Sequence, residues 1–256
     1  MQQSTDAIIS VRNFSAGYHG VTVLENLNFD VHPGEIFIIL GGSGCGKSTL
    51  LKHMIGLYHP LNGSIEIQGN DIVRAEGQAH LDILKSFGVM YQQSALFGSM
   101  NILENVRLPL EEYTDLPHEA MDIIARLKLR LVGLSGFAAY MPEALSGGMK
   151  KRAAIARAMA LDPSILFLDE PSAGLDPITS AELDLLIKHL SRNLGITFVI
   201  VTHELPSIFE IADRVIMLDK RTRGIIAEGD PHELKETAEH PWVRQFFHRT
   251  PVFEES

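Results

Sequence analysis

The sequence has a single cysteine, no long apolar run and no excess of basic residues. With one cysteine no internal disulfide can form, so nothing indicates an oxidising compartment and we expect a cytosolic setting. The 22 Lys and Arg against 32 Asp and Glu give a formal net charge of -10. This balance argues against a surface that binds a phosphate backbone, because nucleic-acid binders usually carry a basic stripe. Nucleic acid is therefore excluded as the expected partner.

The apolar runs are too short for a membrane span. The longest of them, such as residues 36–40 and 196–201, fall far short of the roughly 18 to 20 residues that cross a bilayer. The N-terminus has no apolar core of the kind found in signal peptides, so we expect none. If the protein works at a membrane, a partner must supply the membrane-spanning part.

The pattern of apolar residues predicts an α/β fold with an antiparallel layer. Alternating runs predict half-exposed antiparallel strands at residues 9–11, 27–31 and 65–67. Continuous apolar runs predict parallel strands covered on both faces at residues 36–40, 165–168, 197–201 and 215–218. Helical patterns lie between them at residues 47–55, 181–194 and 206–212.

From about residue 88 to 156 the β-type runs disappear, and amphipathic helical patterns occur at 104–110 and 118–132. We interpret this stretch as a helical subdomain inserted into the core. The predicted organisation is one domain over residues 1–256. Its core covers 1–88 and 157–245, its helical subdomain 89–156, and its short C-terminal tail 246–256.

Residues 41–48 form the strongest local motif. They read Gly41, Gly42, Ser43, Gly44, Cys45, Gly46, Lys47, Ser48, which fits G-x-x-x-x-G-K-[ST], directly after an apolar strand and at the start of a helix. Glycines let the backbone N–H groups wrap around phosphates, and the helix N-terminus adds its positive end. Lys47 is then expected to pair with the β- and γ-phosphates and Ser48 to ligate magnesium. The alternative is a glycine-rich turn that binds no nucleotide; Cys45 fills a free position as a small residue.

Two carboxylates follow the apolar run at residues 165–168. Asp169 and Glu170 are adjacent at a strand end, so they point to opposite sides. We expect Asp169 to hold magnesium and Glu170 to polarise the attacking water as a general base. On their own the two residues could simply cap a strand end. A phosphate loop upstream favours the catalytic interpretation.

His203 follows another apolar run, at 197–201, and is therefore expected at the same carboxyl edge of the sheet, where ligands bind in open α/β folds. A lone histidine there is more often structural. Further motifs, however, add up to a family. Residues 145–149, Leu-Ser-Gly-Gly-Met, resemble the signature peptide that separates ABC ATPases from other P-loop proteins. Gln92 matches the Q-loop of that family, residues 172–176 its D-loop, and residues 201–204 its switch histidine.

The resemblance covers about residues 8 to 245 and implies a P-loop NTPase fold of the RecA-like type that binds ATP and Mg²⁺. It implies that Tyr18 stacks on adenine and that the phosphate loop, with Thr49 after Ser48, binds the phosphates. It implies that Gln92 reaches magnesium and the attacking water, that Glu170 is the base, and that His203 senses the γ-phosphate. Two copies would close head to tail on two ATP molecules. Each copy would then lend its partner Ser146, Gly147, Gly148 and Asp176.

Several stretches resemble one branch, the ATPases of Mla-type, MCE-associated phospholipid transporters. These stretches are residues 145–152, 91–97, 173–178 and 240–247. The resemblance implies an integral-membrane permease, an MCE-type lipid-binding protein and a small accessory subunit as partners, at the cytoplasmic side of the bacterial inner membrane. Two alternatives stay open: an importer ATPase for another small solute, and a non-transport ABC regulator of a membrane partner. The permease, not this sequence, carries the identity and direction of the transported substrate.

The signature peptide is expected to open a helix over residues 149–160, and one feature of this signature helix has two interpretations. Lys150, Lys151 and Arg152 lie in its expected first turn, where cations interact unfavourably with the helix dipole. A phosphate-rich neighbour could offset this cost, and a solvated basic face is an equally good interpretation.

Overall fold

The computed structural model describes residues 7–18 and 20–250. The strands are β1 (Ile9–Tyr18), β2 (Val21–Val31), β3 (Ile36–Gly41), β4 (Asn62–Ile67), β5 (Asn70–Asp71), β6 (Phe87–Met90), β7 (Ile165–Asp169), β8 (Thr197–Val201), β9 (Arg214–Asp219) and β10 (Gly224–Gly229). The helices are α1 (Lys47–Met54), α2 (Gly77–Lys85), α3 (Ile102–Tyr113), α4 (His118–Leu131), α5 (Gly147–Ala158), α6 (Pro177–Leu194), α7 (Leu205–Ile211), α8 (Pro231–Thr237) and α9 (Pro241–His248). The chain divides into two compact units, residues 1–73 with 201–256 and residues 74–200.

The first unit contains the antiparallel layer that the alternating runs predict. Its strand order is β2-β1-β4-β5, and β1 pairs antiparallel with both β2 and β4. Ile9 and Val11 are buried, whereas Ser10 between them is only half-buried. One face of this layer therefore packs inward, as the alternation indicates. The predicted antiparallel layer is confirmed.

The same unit carries the strand that leads into the phosphate loop. β3 pairs in parallel with β9, and β9 pairs antiparallel with β10. Every residue of β3 is buried, which is what a continuous apolar run predicts. β10 was not predicted, because its residues are mostly half-buried and a glycine stands at each end.

The second unit combines strands with the predicted helices. β8 neighbours β7 and β7 neighbours β6, and β6 runs parallel to β7. The helices α3, α4 and α5 pack on one another, with an apolar cluster of Leu110, Met121 and Ala160. The pattern at 104–110 therefore lies inside the longer helix α3, and the pattern at 118–132 matches α4 to within one residue.

β6 corrects the expectation that β-type runs stop at residue 88, since this strand continues to Met90. A Cβ on Gly88 would lie 2.0 Å from the carbonyl oxygen of Ala158. Only glycine allows helix α5 to approach the strand so closely. The strand depends on this contact and on pairing with β7, and neither is visible in four residues of sequence.

No helix in the described residues, 7–18 and 20–250, is both long enough and apolar enough to cross a membrane.

Candidate functional site

The phosphate-loop motif lies between β3 and α1, as predicted. Gly41, Gly44 and Gly46 adopt φ values of 148°, 72° and 106°, in the region that favours glycine. A Cβ on Gly46 would come within 2.7 Å of the Leu24 side chain, and one on Gly41 within 2.4 Å of the Leu218 carbonyl oxygen. A Cβ on Gly44 meets nothing within 4 Å. The loop is therefore closely packed at Gly41 and Gly46 and open at Gly44, which is the shape that a phosphate cradle needs.

The loop and the first turn of α1 also carry polar side chains. Lys47 Nζ donates hydrogen bonds to the carbonyl oxygens of Gly41 at 2.8 Å and Gly42 at 3.1 Å. Ser43 and Ser48 are exposed, and Thr49 is half-buried in the first turn of α1. The N-terminal N–H groups of α1 lack intrahelical partners by geometry. An ammonium, hydroxyls and free N–H groups at one place suit a polyphosphate.

Cys45 is an interior residue of the loop. Its side chain is buried, and burial raises the pKa of the thiol, an effect that the nearby Lys47 charge partly opposes. Its Sγ packs against Gly41, where an added Cβ would lie only 2.7 Å from it. The small-residue interpretation of Cys45 fits this packing.

Two further sequence-predicted residues lie in the same unit. Tyr18 ends β1, and its half-exposed ring meets Tyr58 edge to face at 5.9 Å between centroids. The backbone N–H of Thr202 donates to the Ile39 carbonyl oxygen at 3.4 Å. His203 therefore leaves β8 beside the strand that leads into the phosphate loop. Its ring is exposed, with Nε2 3.8 Å from a Glu204 carboxylate oxygen.

In the second unit, the Q-loop and the carboxylate pair lie at one edge. Val89 pairs with Phe167 and Met90 with Leu168. Gln92 follows the last residue of β6 by two positions and Glu170 directly follows β7, so both lie at the carboxyl edge, where ligands bind in such sheets. Glu170 has a φ of 47°, a left-handed conformation that costs a non-glycine residue about 1–3 kcal/mol.

Two cations of α5 reach the backbone of these segments. Lys151 Nζ donates to the carbonyl oxygen of Gln92 and, at 3.4 Å, to that of Glu170. Arg157 donates to the carbonyl oxygens of Ser94 at 3.0 Å and Ala95 at 2.6 Å. Ser94 and Ala95 also have positive φ, at 62° and 49°. Three strained residues are thus held by side chains of one helix.

Lys151 is the functional candidate that the sequence did not identify. It is only 6% exposed, and burial lowers the pKa of its ammonium, while the Asp169 and Glu170 charges act in the opposite direction. The interpretation of these residues as a solvated basic face is therefore wrong for Lys151. Arg152 instead pairs with Glu182 at 2.8 Å. The sequence signal that could have identified Lys151 is its position near a helix N-terminus. A cation there opposes the helix dipole and requires a compensating partner.

The signature peptide and the D-loop are neighbours in the second unit. Ser146 is the N-cap of α5, and its Oγ accepts from the Met149 N–H at 3.3 Å. A Cβ on Gly148 would lie 2.3 Å from the Thr179 side chain, and one on Gly147 would lie 3.4 Å from Leu175. Gly147 itself is exposed. Ser146 and Gly147 therefore present a hydroxyl and free backbone at a helix N-terminus.

Asp176 is the N-cap of α6. Its carboxylate accepts from the Thr179 hydroxyl at 2.6 Å and from the N–H groups of Ile178 and Thr179 at 3.1 Å. The Thr179 hydrogen bond is the main reason that the pKa of Asp176 is lowered. This carboxylate is exposed, so its hydrogen bonds fix its direction without removing it from solvent.

The residues expected at magnesium offer oxygen donors. Ser48 has a hydroxyl, Gln92 an amide oxygen and Asp169 a carboxylate, and Mg²⁺ prefers such hard oxygen ligands. Within residues 7–18 and 20–250, no group of three or more His, Cys, Asp and Glu could hold a metal ion by itself. The donor chemistry fits magnesium that is bound partly through substrate phosphates.

Comparisons with known proteins agree with this geometry. The family described as ABC transporter matches residues 24–173. The chain is 39% identical over 247 residues to "Intermembrane phospholipid transport system ATP-binding protein MlaF" of Escherichia coli strain K12, covering 96% of this chain and 90% of that protein. It is 40% identical over 238 residues to "Probable ribonucleotide transport ATP-binding protein mkl" of Mycobacterium leprae strain TN, covering 93% of this chain and 68% of that protein.

A solved structure is also similar. It is a dimeric ATP-binding cassette in a post-hydrolysis state, bound to ADP and Pi. It matches with a TM-score of 0.78 and 30% identity, covering 87% of this chain and 98% of that chain. The predicted α/β class, with its antiparallel layer and helical subdomain, is confirmed by this likeness.

Proposed function

This chain belongs to the ABC transporter family and is an ATP-binding ATPase, and on that premise we propose that it powers phospholipid transport through a membrane permease. The observation that carries the proposal is the 39% identity to the phospholipid-transport protein MlaF, which extends over 96% of this chain and 90% of that protein. A likeness limited to the nucleotide-binding motifs would be shared by ABC ATPases at large. This one extends through the helices of residues 74–200 and to the C-terminal α9.

We assign the roles within the site by chemistry. Tyr18 stacks on adenine, the residues from Gly41 to Thr49 hold the phosphates, and Lys47 neutralises their charge. Glu170 takes a proton from the attacking water, and His203 contacts the γ-phosphate. Magnesium, held by Ser48, Gln92 and Asp169, would neutralise charge on the phosphate oxygens.

We propose that two copies of this chain form the working unit. The dimeric cassette with ADP and Pi supports this arrangement. Ser146, Gly147 and Gly148 of one copy, with Asp176, would then complete the site of the other copy. A helix N-terminus with an exposed hydroxyl is suited to the γ-phosphate of the partner's ATP.

The proposed membrane partners follow from the same likeness. An integral-membrane permease would bind the dimer, together with an MCE-type lipid-binding protein and a small accessory subunit. The complex would place this chain peripherally at the cytoplasmic face of a bacterial inner membrane. We propose a single domain with a nucleotide-binding core and a helical subdomain that meets the permease.

Ribonucleotide transport is the second candidate, because the chain is 40% identical to the mkl protein. Subunits that co-purify with this chain in mild detergent allow a direct comparison. We expect phospholipid to stimulate ATP hydrolysis by the purified complex severalfold, and ribonucleotides at matched concentration to leave it unchanged. Stimulation by ribonucleotides alone would overturn the phospholipid proposal in favour of the second candidate.

The surface after the Q-loop is the proposed permease contact. The Phe97 side chain is 50% exposed, yet its backbone is anchored by the buried Asn105. The Phe97 N–H donates to Asn105 Oδ1 at 2.7 Å, and Asn105 Nδ2 donates to the Phe97 carbonyl oxygen at 3.0 Å. Leu96 and Met100, on either side of Phe97, are half-buried. A substitution at Phe97 therefore changes the surface and spares the fold.

We expect Phe97→Asp to weaken permease association at least about fivefold, since apolar burial contributes about 25 cal/mol per Å². ATP binding by the isolated subunit is expected to stay within twofold of the parent. Quantitative co-purification with the membrane subunits measures the effect. Leu185→Asp is the control, because Leu185 is similarly exposed at 59% but lies on α6. Equal recovery of the Phe97 and Leu185 variants would contradict this docking surface.

A further inference from the structure

The buried ammonium of Lys151 joins three elements of the second unit. Lys151 lies in the second turn of α5, just after the signature peptide. Its ammonium lies between the carbonyl oxygens of Gln92 and Glu170. A buried cation that donates to backbone carbonyls is strongly held, because hydrogen bonds from charged donors are about twice as strong as neutral ones.

The backbone at Glu170 needs such support. Its φ of 47° is uncommon for a residue with a side chain and persists only where neighbouring contacts hold it. The direction of the Glu170 carboxylate depends on this backbone conformation. A donor at the Glu170 carbonyl oxygen therefore acts on where the carboxylate points.

The same ammonium fixes the Q-loop backbone. The Gln92 side chain is exposed. The contact of this residue with α5 is made by its backbone carbonyl oxygen, which accepts from Lys151. Arg157, six residues later on α5, holds the following residues Ser94 and Ala95 by their carbonyl oxygens. The Q-loop is thus attached to α5 at two points, of which only Lys151 also reaches Glu170.

We propose that Lys151 is a positioning residue for ATP hydrolysis, which fixes the backbones of Glu170 and Gln92 to the helix that begins at the signature peptide. This inference rests on the roles proposed above for Glu170 and Gln92. Lys151 does not touch the reacting atoms; it acts through the two residues whose carbonyl oxygens it binds. A displacement of about 1 Å in such a group reduces turnover by about a hundredfold.

Lys151→Met tests the proposal, because it keeps the buried apolar stem and removes the donor. In the purified complex with its membrane subunits, we expect kcat for ATP to fall at least about tenfold, with KM and ATP affinity within twofold of the parent. Lys151→Arg keeps a donor and is expected to recover at least half of the lost rate. Lys150→Met is the matched control, since it removes the neighbouring charge and is expected to keep the parent kcat.

The double variant Lys151→Met with Glu170→Gln shows whether Lys151 acts through Glu170. If Lys151 acts through Glu170, adding Lys151→Met lowers the residual rate of Glu170→Gln less than twofold. A further full tenfold loss in the double variant would show that Lys151 does not act through Glu170 and would overturn the proposal that it positions this residue. So would a parent-like kcat for Lys151→Met, or a loss confined to KM and thermal stability, which is the result of a merely structural role. If Glu170→Gln itself keeps the parent rate, the proposed base is wrong and the inference falls with it.

Discussion

Replacing Glu170 with Gln is expected to stop ATP turnover while ATP binding continues. The substitution keeps the size of the side chain and removes its ability to accept a proton from water. General bases contribute about 10²- to 10⁴-fold to such reactions, so we expect kcat to fall at least about a hundredfold. The phosphate loop, Lys47 and the proposed magnesium donors are untouched, so ATP affinity is expected to stay within a few-fold of the parent.

The ATP-bound Glu170→Gln variant is also expected to accumulate as a dimer, because the closed pair is no longer opened by hydrolysis. Phosphate release measures turnover, and size exclusion with light scattering measures mass with ATP and without it. Glu119→Gln is the control, since Glu119 is an exposed residue in the first turn of α4. Turnover at the parent rate in the Glu170 variant would show that another group is the base.

Replacing Lys47 with Met is expected to remove ATP binding itself. The ammonium lies within 3.1 Å of the Gly41 and Gly42 carbonyl oxygens, where we propose that it meets the phosphates. Hydrogen bonds to charged groups contribute about 1.5–3 kcal/mol each. Loss of two such bonds corresponds to at least about a hundredfold in affinity, since about 1.4 kcal/mol is tenfold.

Titration with a fluorescent ATP analogue measures the affinity of the Lys47 variant, and circular dichroism checks that it folds. Lys52→Met is the matched control, because Lys52 lies in the last turn of the same helix, near the Tyr58 ring at 6.0 Å. The control variant is expected to bind ATP as the parent does. Equal affinity of the two variants would place the nucleotide phosphates away from this loop.

The parts of the fold that the sequence predicts are those with a strong local pattern. β3 and β7 are continuous apolar runs, and their buried residues match this pattern. The predicted helix at residues 118–132 is observed as α4, His118–Leu131. The phosphate loop combines required glycines with a strand before it and a helix after it. In these places the local sequence and the tertiary structure agree.

The parts that it misses depend on contacts distant in sequence. β6 is four residues long and is stabilised by pairing with β7 and by the approach of Ala158 to Gly88. The partners of Lys151 lie 59 and 19 residues away along the chain. The left-handed backbone of Glu170 leaves no mark in the sequence around it. A residue in an unfavourable position, such as a cation at a helix N-terminus, is the only local sign of such contacts.

Reconstitution into proteoliposomes tests the central claim most directly. This chain, with the membrane subunits that co-purify with it, is combined with fluorescently labelled phospholipid, and labelled ribonucleotide is followed in parallel. The account predicts that labelled phospholipid leaves its starting membrane only with ATP and magnesium, and that the Glu170→Gln complex transfers none. ATP-dependent movement of ribonucleotide with stationary phospholipid would contradict the proposed substrate, and so would ATP hydrolysis without movement of any lipid.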